Sequence, residues 1–144
     1  MYVRTNEITQ MMVKSHAKLN MMINRVVDGV NMSQKKRLAM FEDFCEKLNA
    51  HFKIEETGIF GFVGGNDQMT KTIRQLYDEH RELNKMVEKI GETIKTGSGD
   101  NFEEFLILMA KHTRTENEVL YPFLDLHLEE ELRNKIRSEI KDSL

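Results

Sequence analysis

Apolar residues along this chain recur at intervals of three and four rather than two, the period of helices that pack by one face. Four such stretches are long. The first, about residues 6–28, carries Ile8, Met12, His16, Leu19, Ile23 and Val26 on one stripe. Gly29 then fits a C-terminal stop, and Ser33 an N-cap for the next helix. The second stretch, about 33–58, carries Phe41, Phe44, Leu48, His51 and Glu55, and Gly58, Gly61, Gly64 and Gly65 loosen the chain after it. The third, about 67–96, presents Met69, Ile73, Leu76, His80, Leu83, Val87, Ile90 and Ile94. Residues 96–100 read as a turn, with Asp100 and Glu103 spaced as a capping box. The fourth, about 101–121, presents Phe102, Phe105, Met109, His112, Glu116 and Val119, and Pro122 is expected to kink or end it. Leu128, Leu132, Ile136 and Ile140 predict a short further helix against the outside of the bundle. Short connections between long helices make neighbours antiparallel. The expected fold is all-α: an up-down-up-down antiparallel four-helix bundle with a short C-terminal fifth helix, one domain over residues 1–144.

The same seams hold polar residues where apolar ones belong. His51-xxx-Glu55 recurs as His112-xxx-Glu116, with Phe44 and Phe105 seven residues before each histidine. Ile59-Phe60 and Leu120-Tyr121 follow each glutamate at one offset, and the segment at His16 echoes the segment at His80. One two-helix unit is used twice. Counted from the turns at about 1.5 Å per residue, the four histidines fall near one level, with mismatches under roughly 8 Å.

Four imidazoles and two carboxylates inside a core need partners, since each orphaned buried group costs about 1–3 kcal/mol and a bare charge far more. They are either hydrogen-bonded to one another or bound to cations. Residues at i and i+4 share a helix face, so His51 with Glu55, and His112 with Glu116, address one ion each. Nitrogen and oxygen ligands without thiolate suit iron, manganese or zinc. The arrangement expected puts His16 and His51 on one ion, His80 and His112 on the other, and Glu55 and Glu116 between them. With an oxo or hydroxo bridge added, each ion keeps an open position, the condition for small-molecule binding or redox chemistry.

Other chemistry-bearing residues add little. His127 lies beyond Pro122 and is expected at the surface. Cys45 reads as a small buried side chain. Tyr77, one turn before His80, is core filler or a hydrogen-bond donor to the centre. Met11, Met12, Met21 and Met22 read as flexible packing rather than copper ligands. A net charge of −3 gives no case for nucleic acid or an anionic membrane, and residues 35–37 are too short a basic run to change that. No apolar run approaches a membrane span, no signal peptide stands at the N-terminus, and one cysteine cannot form an internal disulfide. The expected location is cytoplasmic.

The set His16, His51-xxx-Glu55, His80 and His112-xxx-Glu116, over about residues 8–124, resembles the hemerythrin-like (HHE cation-binding) family. The resemblance implies a four-helix bundle around two non-haem iron ions bridged by the two glutamates. Oxygen-carrying members have a fifth histidine on the third helix; here the positions four before and after His80 are Leu76 and Asn84. The ligand set is more similar to the di-iron proteins of iron-centre repair and nitric oxide handling, which usually carry an additional N-terminal cysteine-containing segment. The function implied is binding of, and reaction with, nitric oxide, dioxygen or hydrogen peroxide in stress response or repair, with an electron donor not identified by the sequence. The alternatives are a reversible oxygen-binding or oxygen- or iron-sensing module without turnover, and a structural bundle holding zinc.

Overall fold

The structure is a computed structural model describing residues 6–63, 67–97 and 102–143, with only the backbone described at 62, 63, 67 and 68. The helices are α1 (Glu7–Asp28), α2 (Gln34–Ile54), α3 (Asp67–Thr96), α4 (Glu103–Thr115), α5 (Tyr121–His127) and α6 (Glu130–Ser143). A π-helical turn, Glu116–Leu120, joins α4 to α5 in one rod, and a matching π turn, Glu55–Ile59, extends α2 into a 3-10 turn at Phe60–Val63. Neighbours in the chain pack as neighbours in space, and α5 returns to α1 to close the bundle. The expected all-α bundle with a C-terminal helix is what forms: α6 lies across α1 and α2 and buries Ile136 and Ile140.

The helix ends follow local chemistry. Ser33 Oγ accepts from Lys36 N at 3.2 Å, as expected of an N-cap. The buried Arg37 guanidinium donates to the Val26 carbonyl at 2.8 Å, closing the end of α1. Gln34 donates to the Ile94 and Lys95 carbonyls at the end of α3, where Gly97 takes the left-handed conformation (φ +69°). The expected box at Asp100 lies outside the described residues.

Gly29 is the C-cap of α1, as expected, with φ −82° and a 3-10 turn after it, and a Cβ there would meet the Met32 sulfur at 2.9 Å. Two later glycines differ. Gly58 lies inside the π turn after α2, where a Cβ would come within 3.0 Å of Glu139 on α6. Gly91 lies inside α3 against the Phe41 ring. Gly58 and Gly91 serve close approach rather than helix termination.

Pro122 does not end the fourth rod. It falls in the first turn of α5, and the π turn before it takes up the register change. That turn also corrects the seam. Val119 was expected inward but is 41% exposed, whereas Leu120 is fully buried. One extra residue per turn rotates everything after Glu116 by one position.

The core falls into two apolar clusters. One holds Ile8, Met12, Ile59, Leu76, Leu120 and Leu124 with α6; the other holds Leu19, Ile23, Leu48, Leu83, Phe44 and Phe105. Phe44 and Phe105, equivalent in the repeat, meet edge to face at 6.0 Å. All four bundle histidines lie between these clusters.

Asp125 on α5 supplies the cap that α1 lacks. Asn6 makes no side-chain cap bond, and Asp125 instead accepts from Ile8 N at 3.0 Å, Thr9 N at 2.9 Å and Thr9 Oγ1 at 2.6 Å. Asp125→Ala orphans the buried Ile8 N–H and removes an anion from a helix N-terminus, a loss of about 1–3 kcal/mol. Urea unfolding should show it as a lower midpoint at unchanged slope; an unchanged midpoint would contradict this capping role.

Candidate metal centre

His16 on α1, His51 on α2, His80 on α3 and His112 on α4 meet at one level and are buried, none more than 6% exposed. Two imidazole pairs form. His16 Nε2 lies 3.0 Å from His51 Nε2, and His80 Nε2 lies 3.1 Å from His112 Nε2. Glu55 and Glu116, both fully buried, reach across between the pairs. Glu55 Oε1 is 3.5 Å from His51 Nε2 and 3.3 Å from His80 Nε2. Glu116 Oε1 is 3.1 Å from His16 Nε2, and its Oε2 is 3.4 Å from His112 Nε2. All six residues singled out in the sequence are therefore brought together.

Each glutamate opens a π turn. The Glu55 carbonyl accepts from Phe60 N and the Glu116 carbonyl from Tyr121 N, five residues on in both cases. Widened turns of this kind are frequent at functional sites, and here they occur at equivalent places in the two halves.

Four further residues back the histidines from outside. With Nε2 turned inward, each Nδ1 faces outward. His51 Nδ1 is hydrogen-bonded to Ser15 Oγ at 2.8 Å, while His16 Nδ1 donates to Asn117 Oδ1 at 2.8 Å and His112 Nδ1 to Glu79 Oε1 at 2.9 Å. His80 Nδ1 has no hydrogen bond; Glu56 Oε1 lies 3.5 Å away, and the ring is stacked on Phe52 at 3.8 Å. The sequence reading missed these partners because they lie off the apolar seams. The signal available was adjacency: each one stands next in the chain to His16, Glu55, His80 or Glu116.

Tyr121, not Tyr77, is the tyrosine at the centre. The buried Tyr121 hydroxyl donates to Glu55 Oε2 at 2.8 Å and lies 3.2 Å from His16 Nε2. Tyr77 turns away and donates to the Glu56 carbonyl at 3.2 Å. His127 is exposed against Phe123, as expected. Cys45 is half-buried; burial and then Glu42 push its thiol up to about 11, which leaves little thiolate for redox chemistry.

The electrostatics are those of a deeply buried cluster of ionisable groups. Burial lowers His51 to about 3. Burial opposes charge on His112 too, but Glu116 and the hydrogen-bonded Glu79 outweigh it and raise that imidazole to about 10. Burial and then the Glu116 charge raise Glu55, and burial holds the Tyr121 hydroxyl well above its ordinary value.

The donor set fits a pair of cations. Glu55 Oε1 and both Glu116 oxygens are buried without a hydrogen-bond partner, which a folded core rarely tolerates. Glu55, His80, His112 and Glu116 form one compact group of potential ligand atoms, and His16, His51 and Glu116 another, each within 4.8 Å. A groove of about 480 Å³ between α1 and α4 runs past His16, lined by Val13, Ala17, Asn20, Ala110 and Thr113. Among the described residues no helix is long and apolar enough to cross a membrane.

The hemerythrin HHE cation binding domain model matches residues 7–124. Alanine–tRNA ligases of Methanococcus maripaludis strains C5, C7 and C6 are 25%, 26% and 25% identical to the chain over 123 residues. That match takes in 81% of this chain, which spans 13% of the length of each ligase. No solved structure matches the chain.

Proposed function

The chain belongs to the hemerythrin HHE cation-binding domain family, and on that premise we propose that it is a non-haem di-iron protein that binds and reacts with nitric oxide, dioxygen or hydrogen peroxide. The observation that carries this reading is the orphaned carboxylate pair: Glu55 and Glu116, fully buried between four inward-facing imidazoles. In this reading His16 and His51 hold one ion, His80 and His112 the other, and both glutamates bridge. Such a pair, when bound, supplies one-electron redox steps and open positions for a small ligand.

The rest falls to the chain. Ser15, Asn117 and Glu79 fix ring orientation through Nδ1, leaving Nε2 free to ligate. Tyr121 keeps its proton and directs it at Glu55 Oε2, so a hydrogen-bond donor stands beside the centre. The two apolar clusters exclude bulk water from both ends, and the α1–α4 groove is wide enough for a small uncharged molecule to approach His16.

The test uses iron-loaded, reduced protein mixed with nitric oxide, peroxide or dioxygen, followed optically and by consumption of each. Turnover of nitric oxide or peroxide is the expected result, with electrons from an added donor. Spectral change that reverses on removing dioxygen, without turnover, would move the reading to an oxygen-binding or sensing module. Inertness towards all three would overturn both.

A further inference from the structure

The two halves of the centre are built on one plan but backed by different chemistry. Ser15 precedes His16 and backs His51; in the second half Glu79 precedes His80 and backs His112. Asn117 follows Glu116 and backs His16; in the other half Glu56 follows Glu55 and faces His80. At each pair of equivalent positions the residue behind His16 or His51 is neutral, and the residue behind His80 or His112 is a carboxylate.

The difference is anchored. Glu79 is nearly buried, its Oε1 held by His112 and its Oε2 by Gln75 Nε2 at 3.1 Å, with Lys111 Nζ at 3.8 Å. The partner ring is anchored as well: His80 stacks between Phe52, at 3.8 Å, and Phe60, at 5.5 Å. His16 lies beside the Tyr121 ring, at 5.6 Å, and His51 lies edge-on to Phe52, at 6.4 Å.

Resting on the di-metal reading above, we propose that the two positions are unequal, and that the His80–His112 position takes a divalent cation first and holds it more tightly than the His16–His51 position. The physical reason is electrostatic. An anion hydrogen-bonded to the outer nitrogen makes an imidazole a stronger donor, as Glu79 does for His112, and two carboxylates behind the pair favour a nearby cation that neutral serine and asparagine do not. Glu79 and Glu56 are positioning residues here, acting through the histidines.

The experiment is an equilibrium titration of the metal-free full chain with cobalt(II), read by its visible absorption against a competing chelator. Wild type should bind in two resolved steps. Removing a backing partner typically costs 10- to 100-fold in affinity, so Glu79→Gln should weaken the first step by that factor and leave the second in place. Ser15→Ala should do the converse. His112→Ala should delete the tight step and His51→Ala the weak one, which assigns the steps independently of the backing residues. Thermal unfolding of each metal-free variant separates loss of fold from loss of affinity. Two indistinguishable steps in wild type, or a tight step weakened by Ser15→Ala and not by Glu79→Gln, would overturn the inequality while sparing the two-ion centre. Wild type that binds no cobalt would overturn both.

Discussion

Glu116→Leu is expected to abolish retention of the cation pair and to destabilise the metal-free protein as well. In wild type both Glu116 oxygens are buried without a hydrogen-bond partner, and the carboxylate lies beside two imidazoles. Removing one partner of a buried ion pair costs about 3–5 kcal/mol, because the charge that Glu116 favours on His112 loses its counter-ion. Leucine has the bulk to fill the site between the two apolar clusters, and Glu79 on the outer nitrogen of His112 offsets part of that loss. The same change removes the residue whose two oxygens face opposite histidine pairs, and with it the ligand that the proposed centre would share between its two ions. Urea unfolding in the presence of chelator, paired with cation retention on gel filtration, reads both effects. A metal-free variant as stable as wild type would mean that Glu116 serves the cations alone.

Stripping the cations from wild type is the complementary prediction, with the larger effect. A site filled at one hundred times its dissociation constant adds about 2.7 kcal/mol to stability, so two sites add roughly 5 kcal/mol. For a chain of this size that corresponds to a melting point higher by roughly 10–20 °C in the loaded protein. Glu116→Leu should therefore lie below wild type without metal, and further below it with metal. Calorimetry across a series of free-cation concentrations checks this. A melting point that ignores cation concentration in wild type would contradict a ligated centre.

Much of the arrangement was legible in the residues because burial and periodicity are coupled. A histidine at an apolar seam position has nowhere to point but inward, and four of them in a repeated frame had to meet. His16, His51, His80 and His112, with Glu55 and Glu116, are brought together for that reason. Helix ends were read less well, because glycine marks two unlike needs. Gly97 supplies a left-handed turn, whereas Gly58 and Gly91 make room for Glu139 and Phe41. The π turns left no periodic signature that a count of threes and fours detects, so Val119 was placed inward where Leu120 belongs. That same shift brings the Tyr121 hydroxyl to Glu55. Ser15, Glu56, Glu79 and Asn117 look like solvated-face residues by type. Only the neighbouring helix reveals what they face.

The central claim is that this core holds a pair of cations. The most direct measurement is metal content per chain, on protein made with ample iron and purified without air, with an absorption spectrum before and after dioxygen. About two irons per chain, with near-ultraviolet bands growing on oxidation, is the result expected. Protein that emerges folded with no metal, or with zinc unaffected by His51→Ala and His112→Ala, would contradict the account. Glu55 and Glu116 would then be buried charges without a purpose at this site.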